Sequence, residues 1–140
     1  MLKRRVTESH RFGVPLSILY LKIEDFDVIS RKHGSAIARQ MTETAMPALE
    51  KTLREMDVLA KLENGEFIAM LPGSTQTDAN RIAKRMDSAT AHCLLPVVDR
   101  QLQIRLQYAI AELKPTETAQ ELIARARLDL TTPAQRPANA

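Results

Sequence analysis

The chain has 140 residues, 44% of them apolar and 26% charged, which makes one globular domain with an ordinary core and excludes a disordered or fibrous protein. Its net charge of +3 lies in residues 1–12, where Lys3, Arg4, Arg5 and Arg11 face Glu8, and the rest is balanced. This excludes a nucleic-acid footprint, which needs a basic stripe interleaved with aromatics.

Cys93 is the sole cysteine, so no disulfide framework exists, and His10, His33 and His92 lack metal-ligand spacing. No apolar run approaches the ~20 residues that cross a bilayer, and none at the start reads as a signal segment. A soluble cytoplasmic domain with no metal or cofactor is expected.

In chain order, residues 1–12 read as a short basic helix ended by Gly13 and Pro15. The continuous apolar run Leu16–Ile23 predicts a buried strand. Glu24–Lys32 reads as a short helix closed by Gly34. From Ser35 a long helix is predicted to about Glu55, with Ile37, Met41, Ala45, Leu49 and Leu53 as its buried stripe and Pro47 kinking or splitting it. Val58–Leu62 and Phe67–Leu71 form a hairpin, because Asn64-Gly65 suits a type I′ turn with φ > 0 at both central residues. Thr77 or Asp78 is expected to cap a helix reaching about Cys93, with Ala79, Ile82, Ala83 and Met86 inward. Val97-Val98 and Leu102–Ala111 read as strands, and Thr116 to about Leu130 as the last helix. Met41, Met46, Met56 and Met70 read as core filler. The domain is expected to span residues 1–130, and the Pro-, Ala- and Asn-rich stretch 131–140 to be a disordered tail. The order of elements predicts an α/β (α+β) fold with helices against a central sheet.

Several segments resemble the GGDEF family of diguanylate cyclases at collinear spacing. Pro15-Leu16-Ser17-Ile18-Leu19-Tyr20-Leu21 resembles its first strand, and Phe26, Ile29 and Gly34 match the segment after it. Glu63-Asn64-Gly65-Glu66-Phe67 stands where the signature hairpin belongs, Met70-Leu71-Pro72-Gly73 at its exit, Ala79–Arg85 on the next helix and Tyr108-Ala109-Ile110-Ala111 on a later strand. The resemblance implies a nucleotide-cyclase, palm-like fold: a roughly five-stranded sheet flanked by helices, with the signature on a β-hairpin.

The resemblance also carries expectations about sites. Lys22 stands where the family has a metal-binding Asp, Gly65 at a signature carboxylate, and Glu63 and Asn64 at the two glycines. Ser30, Arg39 and Asp27 replace residues that meet GTP. The resulting expectation is a degenerate GGDEF domain that is not an enzyme, with Lys22 and Glu66 paired as a salt bridge. By contrast, Arg54 and Asp57 match the family's Arg-x-x-Asp inhibitory site for cyclic di-GMP, five residues before the signature. Arg85 falls where the family places another ligand-binding arginine, with Arg81 one turn earlier. An Arg fork can donate to guanine O6 and N7, and a carboxylate can accept from N1–H and N2–H. The expected function is cyclic di-GMP sensing by a bacterial second-messenger module. The alternative is a ligand-free dimerisation or partner-docking module in which Arg54 and Asp57 are merely an ion pair.

Overall fold

The computed structural model describes residues 2–97 and 100–130. The expected tail, residues 131–140, and Val98 lie outside the described residues. Helix α1 (Leu2–Phe12) is followed by β1 (Leu16–Ile23), α2 (Phe26–His33) and α3 (Ser35–Glu50). The hairpin β2 (Val58–Lys61) and β3 (Glu66–Pro72) leads to α4 (Gln76–Ala91). Three strands, β4 (Leu94–Val97), β5 (Arg100–Gln103) and β6 (Leu106–Glu112), precede α5 (Ala119–Leu130).

The main sheet has four antiparallel strands in the order β2-β3-β1-β6, and β4-β5 form a separate two-stranded ribbon. β1 is central. It pairs with β3 from Leu16↔Pro72 to Lys22↔Glu66 and with β6 from Ser17↔Glu112 to Ile23↔Leu106. Its near-continuous burial explains why six of its eight residues, all but Ser17 and Lys22, are apolar rather than alternating with polar ones. Leu19, Leu21 and Ile23 face one side with Phe67, Ala69 and Leu71, packed with Met41, Ala45 and Leu49 of α3 and Ala79, Ile82, Ala83 and Met86 of α4. Ile18 and Tyr20 face the other side, under Leu122 and Ala126 of α5.

The hairpin turn forms as its sequence predicts: Asn64 has φ 58°, Gly65 φ 73°, and the Glu66 N–H donates to the Glu63 carbonyl at 3.2 Å. Elsewhere the structure departs from expectation. α3 remains one helix through Pro47, which sits in its last turn, and ends at Glu50 instead of Glu55. Short-range bonds from Thr52 N–H to Leu49 O and Leu53 N–H to Glu50 O, both 3.1 Å, close the helix there. The cap of α4 is Thr75, and Asp78 completes a capping box with it. The strand expected over Leu102–Ala111 is divided at Ile104 and Arg105 into β5 and β6. Arg105 donates Nε and Nη2 to Asp87 of α4 at 3.2 and 2.9 Å, and the Leu106 N–H donates to the same carboxylate at 3.0 Å. Met41 and Met70 are core residues, but Met56 is 52% exposed in the turn before β2.

Candidate functional site

The segment between α3 and β2 is organised by Arg54 and Asp57. The Arg54 backbone N–H donates to Asp57 Oδ2 at 2.8 Å, and the Asp57 N–H returns to the Arg54 carbonyl at 3.0 Å. The guanidinium then grips the same carboxylate, Nε on Oδ2 at 3.1 Å and Nη2 on Oδ1 at 2.8 Å. Nη2 also reaches Pro72 O at 2.9 Å and Ser74 Oγ at 3.0 Å. Ser74 is itself buried, its carbonyl accepting from Ser17 Oγ of β1 at 2.8 Å. One arginine therefore ties the start of β2, the end of β3 and the approach to α4 together. The hydrogen bonds to Asp57 raise the Arg54 pKa above its ordinary value. The Asp57 side chain is 0% exposed, whereas that of Arg54 is 42% exposed.

α4 brings a second arginine to this segment. Arg85 Nη2 donates to Thr52 O at 3.3 Å, so Arg54, Asp57 and Arg85 gather around residues 52–57. Arg81, one turn earlier, stays on the exposed face, 3.8 Å from Asp78. Hydrogen bonds from the Thr75 backbone and hydroxyl hold the Asp78 carboxyl below its usual range, with Arg81 and Arg54 adding to the effect. Two surface grooves, one between α1 and Pro72-Gly73 and one lined by Thr42, Met46, Pro47 and Lys61, include none of these arginines in their lining.

The signature hairpin presents a different arrangement. Lys22 and Glu66 are Cα partners across β1 and β3, yet they do not form the expected salt bridge. Lys22 Nζ pairs with Asp27 Oδ2 at 3.6 Å, and Glu66 Oε1 accepts from the Tyr20 hydroxyl at 2.6 Å. The reason lies on the α5 face of the sheet. Arg127 donates Nε to the Tyr20 hydroxyl at 3.0 Å, and its guanidinium stands 5.3 Å from the Tyr20 ring centroid. The buried phenol thus has Glu66 on one side and Arg127 on the other. Burial first, then the bond to Glu66, raises the Tyr20 pKa. The sequence reading missed Tyr20; its one signal is its place two residues before Lys22, on the same strand face. Arg127, on the last helix, gives no sequence signal for this contact.

Gly65 lies against Phe26, the first residue of α2, and its carbonyl accepts from Ile23 N–H at 2.9 Å. The family fold implies divalent cations at this end of the sheet. Among the described residues no three His, Cys, Asp or Glu side chains converge as a metal site. With Glu66 engaged by Tyr20, and Lys22 and Arg127 adding positive charge to that face, these side chains do not fit such an ion as they stand.

Residues 1–139 match the family model described as diguanylate cyclase, GGDEF domain. The chain belongs to the GGDEF family. Among curated relatives, diguanylate cyclase DgcP of Pseudomonas aeruginosa is 25% identical over 125 residues, covering 89% of this chain and 19% of DgcP. Diguanylate cyclase DosC of Escherichia coli K12 is 25% identical over 88 residues, 63% of this chain and 19% of DosC. The chain therefore spans only 19% of the length of either relative. Among solved structures, diguanylate cyclase SiaD of Pseudomonas aeruginosa, in complex with its activator SiaC, superposes with TM-score 0.86 at 22% identity, covering 92% of this chain and 50% of SiaD. The GGDEF domain of DgcB from Caulobacter crescentus, in complex with c-di-GMP, gives TM-score 0.85 at 17% identity, with 92% and 77% covered. These neighbours confirm the palm-like fold with its antiparallel sheet flanked by helices.

The same comparisons correct one expectation. The substitutions at Lys22, Glu63, Asn64 and Gly65 led to the expectation of a degenerate domain that is not an enzyme. The matching family is described as diguanylate cyclase, and the curated relatives are named diguanylate cyclases. Substitutions at these positions do not by themselves establish loss of activity, and a hydrogen-bonded Glu66 does not take the chain out of an enzyme family. No helix among the described residues is long and apolar enough to cross a membrane.

Proposed function

We propose that this GGDEF domain is a cyclic di-GMP-responsive module whose ligand site is built on Arg54, Asp57 and Arg85. The observation that carries this reading is the convergence of two arginines from different elements on one exposed segment. Arg54 is held in a fixed fork, and Arg85 is hydrogen-bonded to Thr52 beside it. Cyclic di-GMP offers guanine O6 and N7 acceptors and two phosphates, the groups an arginine pair recognises. A structurally similar GGDEF domain, that of DgcB, was solved with c-di-GMP bound. Titration calorimetry with cyclic di-GMP tests the reading. Binding is expected to weaken at least about tenfold in Arg54→Ala and in Arg85→Ala, the loss of one charge-assisted hydrogen bond. Absence of binding at high micromolar ligand, or unchanged affinity in Arg54→Ala, overturns it. Synthesis of the same dinucleotide, as in the named relatives, is decided by incubation with GTP and Mg²⁺ or Mn²⁺.

One observation favours a second reading. The Asp57 carboxylate is buried and fully engaged by Arg54, as expected of a structural brace in a protein-interaction module. A defined dimer by light scattering, combined with no nucleotide binding, supports that reading over the first.

A further inference from the structure

We propose that the outward face of α1 and the loop after it form a docking surface for an anionic lipid membrane. The domain rests on that surface and does not cross it, since no helix among the described residues is long and apolar enough to span a bilayer.

The charge of the molecule is concentrated on this face. Lys3, Arg4, Arg5 and Arg11, set against Glu8, account for the whole net charge of +3. Val6 is buried with Leu16 and Met70, which turns the opposite side of the helix to solvent. Glu8 is already occupied, 3.6 Å from Arg4 Nε and 3.3 Å from Arg5 Nη1. Among the described residues no carboxylate pairs with Lys3 or Arg11.

Apolar surface adjoins these cations. Phe12 is 66% exposed and Val14 48%, in a protein with three Phe and no Trp. The Arg11 guanidinium stands 5.3 Å from the Phe12 ring centroid. Phe12, Val14 and Pro15 also line the groove that α1 shares with Pro72 and Gly73. Their presentation is fixed. The Gly13 N–H donates to the Ser9 carbonyl at 2.8 Å, and the Ser9 hydroxyl donates to the Val14 carbonyl. His10 Nε2 is hydrogen-bonded to the Glu117 carbonyl at 2.8 Å, which anchors the helix to the turn before α5.

Lipid headgroups fit this patch better than a folded partner does. A stable protein interface takes about 20–30 residues a side and pockets for its aromatic anchors. This patch is one helix face and a short loop, and its aromatic ring protrudes. An anionic bilayer takes up cations without matched geometry and accepts a protruding ring among its headgroups.

Co-sedimentation of the full chain with lipid vesicles tests the proposal. The chain is expected to bind vesicles of two parts phosphatidylcholine to one part phosphatidylglycerol at about 0.1 M salt, and to leave them at about 0.5 M salt. Vesicles of phosphatidylcholine alone should not bind it. Each surface cation strengthens such attachment roughly fivefold. The double change Lys3→Glu with Arg11→Glu is therefore expected to weaken binding at least about tenfold, and Phe12→Ser at least about threefold. The matched double change Arg31→Glu with Lys32→Glu, at exposed positions of α2, should leave binding within about twofold. No binding at low salt, an equal loss from the α2 pair, or full binding by Phe12→Ser overturns the proposal. So does a mass that rises with protein concentration in light scattering and falls back in Phe12→Ser, which makes a second copy the occupant. The lipid and salt comparisons use the wild-type chain, so they stand whether or not a variant folds.

Discussion

Gly65 meets two demands at once. Its φ of 73° disfavours any residue with a side chain, and a Cβ there would lie 2.6 Å from Phe26 Cδ2. Gly13 has a similar φ of 67° but nothing within 4 Å of an added Cβ. The pair separates backbone strain from steric conflict. Gly13→Ala is expected to cost about 1 kcal/mol and Gly65→Ala about 2–4 kcal/mol, read as a shift in the urea unfolding midpoint. A second single-residue effect concerns Glu117. Its carboxyl is held below the usual range, first by Arg125 at 2.8 Å and then by the Lys114 N–H, and its side chain is only 10% exposed. A depressed carboxylate contributes stability above its unfolded pKa and loses it as pH falls through the folded value. Wild-type stability should therefore fall on acidification below the ordinary carboxylate range, and Glu117→Gln should flatten that slope while lowering stability at neutral pH. Parallel unfolding curves for the two proteins across that range would contradict this.

At the scale of elements, local signals were legible and shared ones were not. The Asn64-Gly65 turn is encoded by two residues and formed as read. β1 was read to the residue, because a strand covered on both faces leaves an apolar run with clear ends. The end of α3 was misplaced, because the Leu53 side chain continues the apolar stripe while the backbone has already tightened. Capping of α4 was misread by two or three residues, since Thr75, Thr77 and Asp78 all satisfy the composition rule and only the reciprocal bonds decide. Division of β5 from β6 depends on Asp87, which belongs to another element and leaves no mark on the strand's own alternation. Asp87→Ala should strand both the Arg105 guanidinium and the Leu106 N–H. A loss of about 1–3 kcal/mol is expected, with faster hydrogen exchange at Leu106 as the local readout.

For the molecule as a whole, the family register made the fold and the Arg54–Asp57–Arg85 group legible, because those residues keep fixed distances from the hairpin. The pairing of Tyr20 with Glu66 and Arg127 was not legible, since it joins the first strand, the third strand and the last helix. The order of the sheet has a further consequence, for synthesis. β1 is synthesised before the other described strands, yet it occupies the middle of the sheet between β3 and β6. Its β6 edge waits for the last strand, and Ile18 and Tyr20 wait longer still for α5. The nascent chain must therefore carry an apolar strand with an unpaired edge until β6 has been made, a slow, non-local topology that invites chaperone attention. Protease resistance of ribosome-bound chains of increasing length should appear in one late step, once α5 has emerged, rather than when the β2–β3 hairpin is complete.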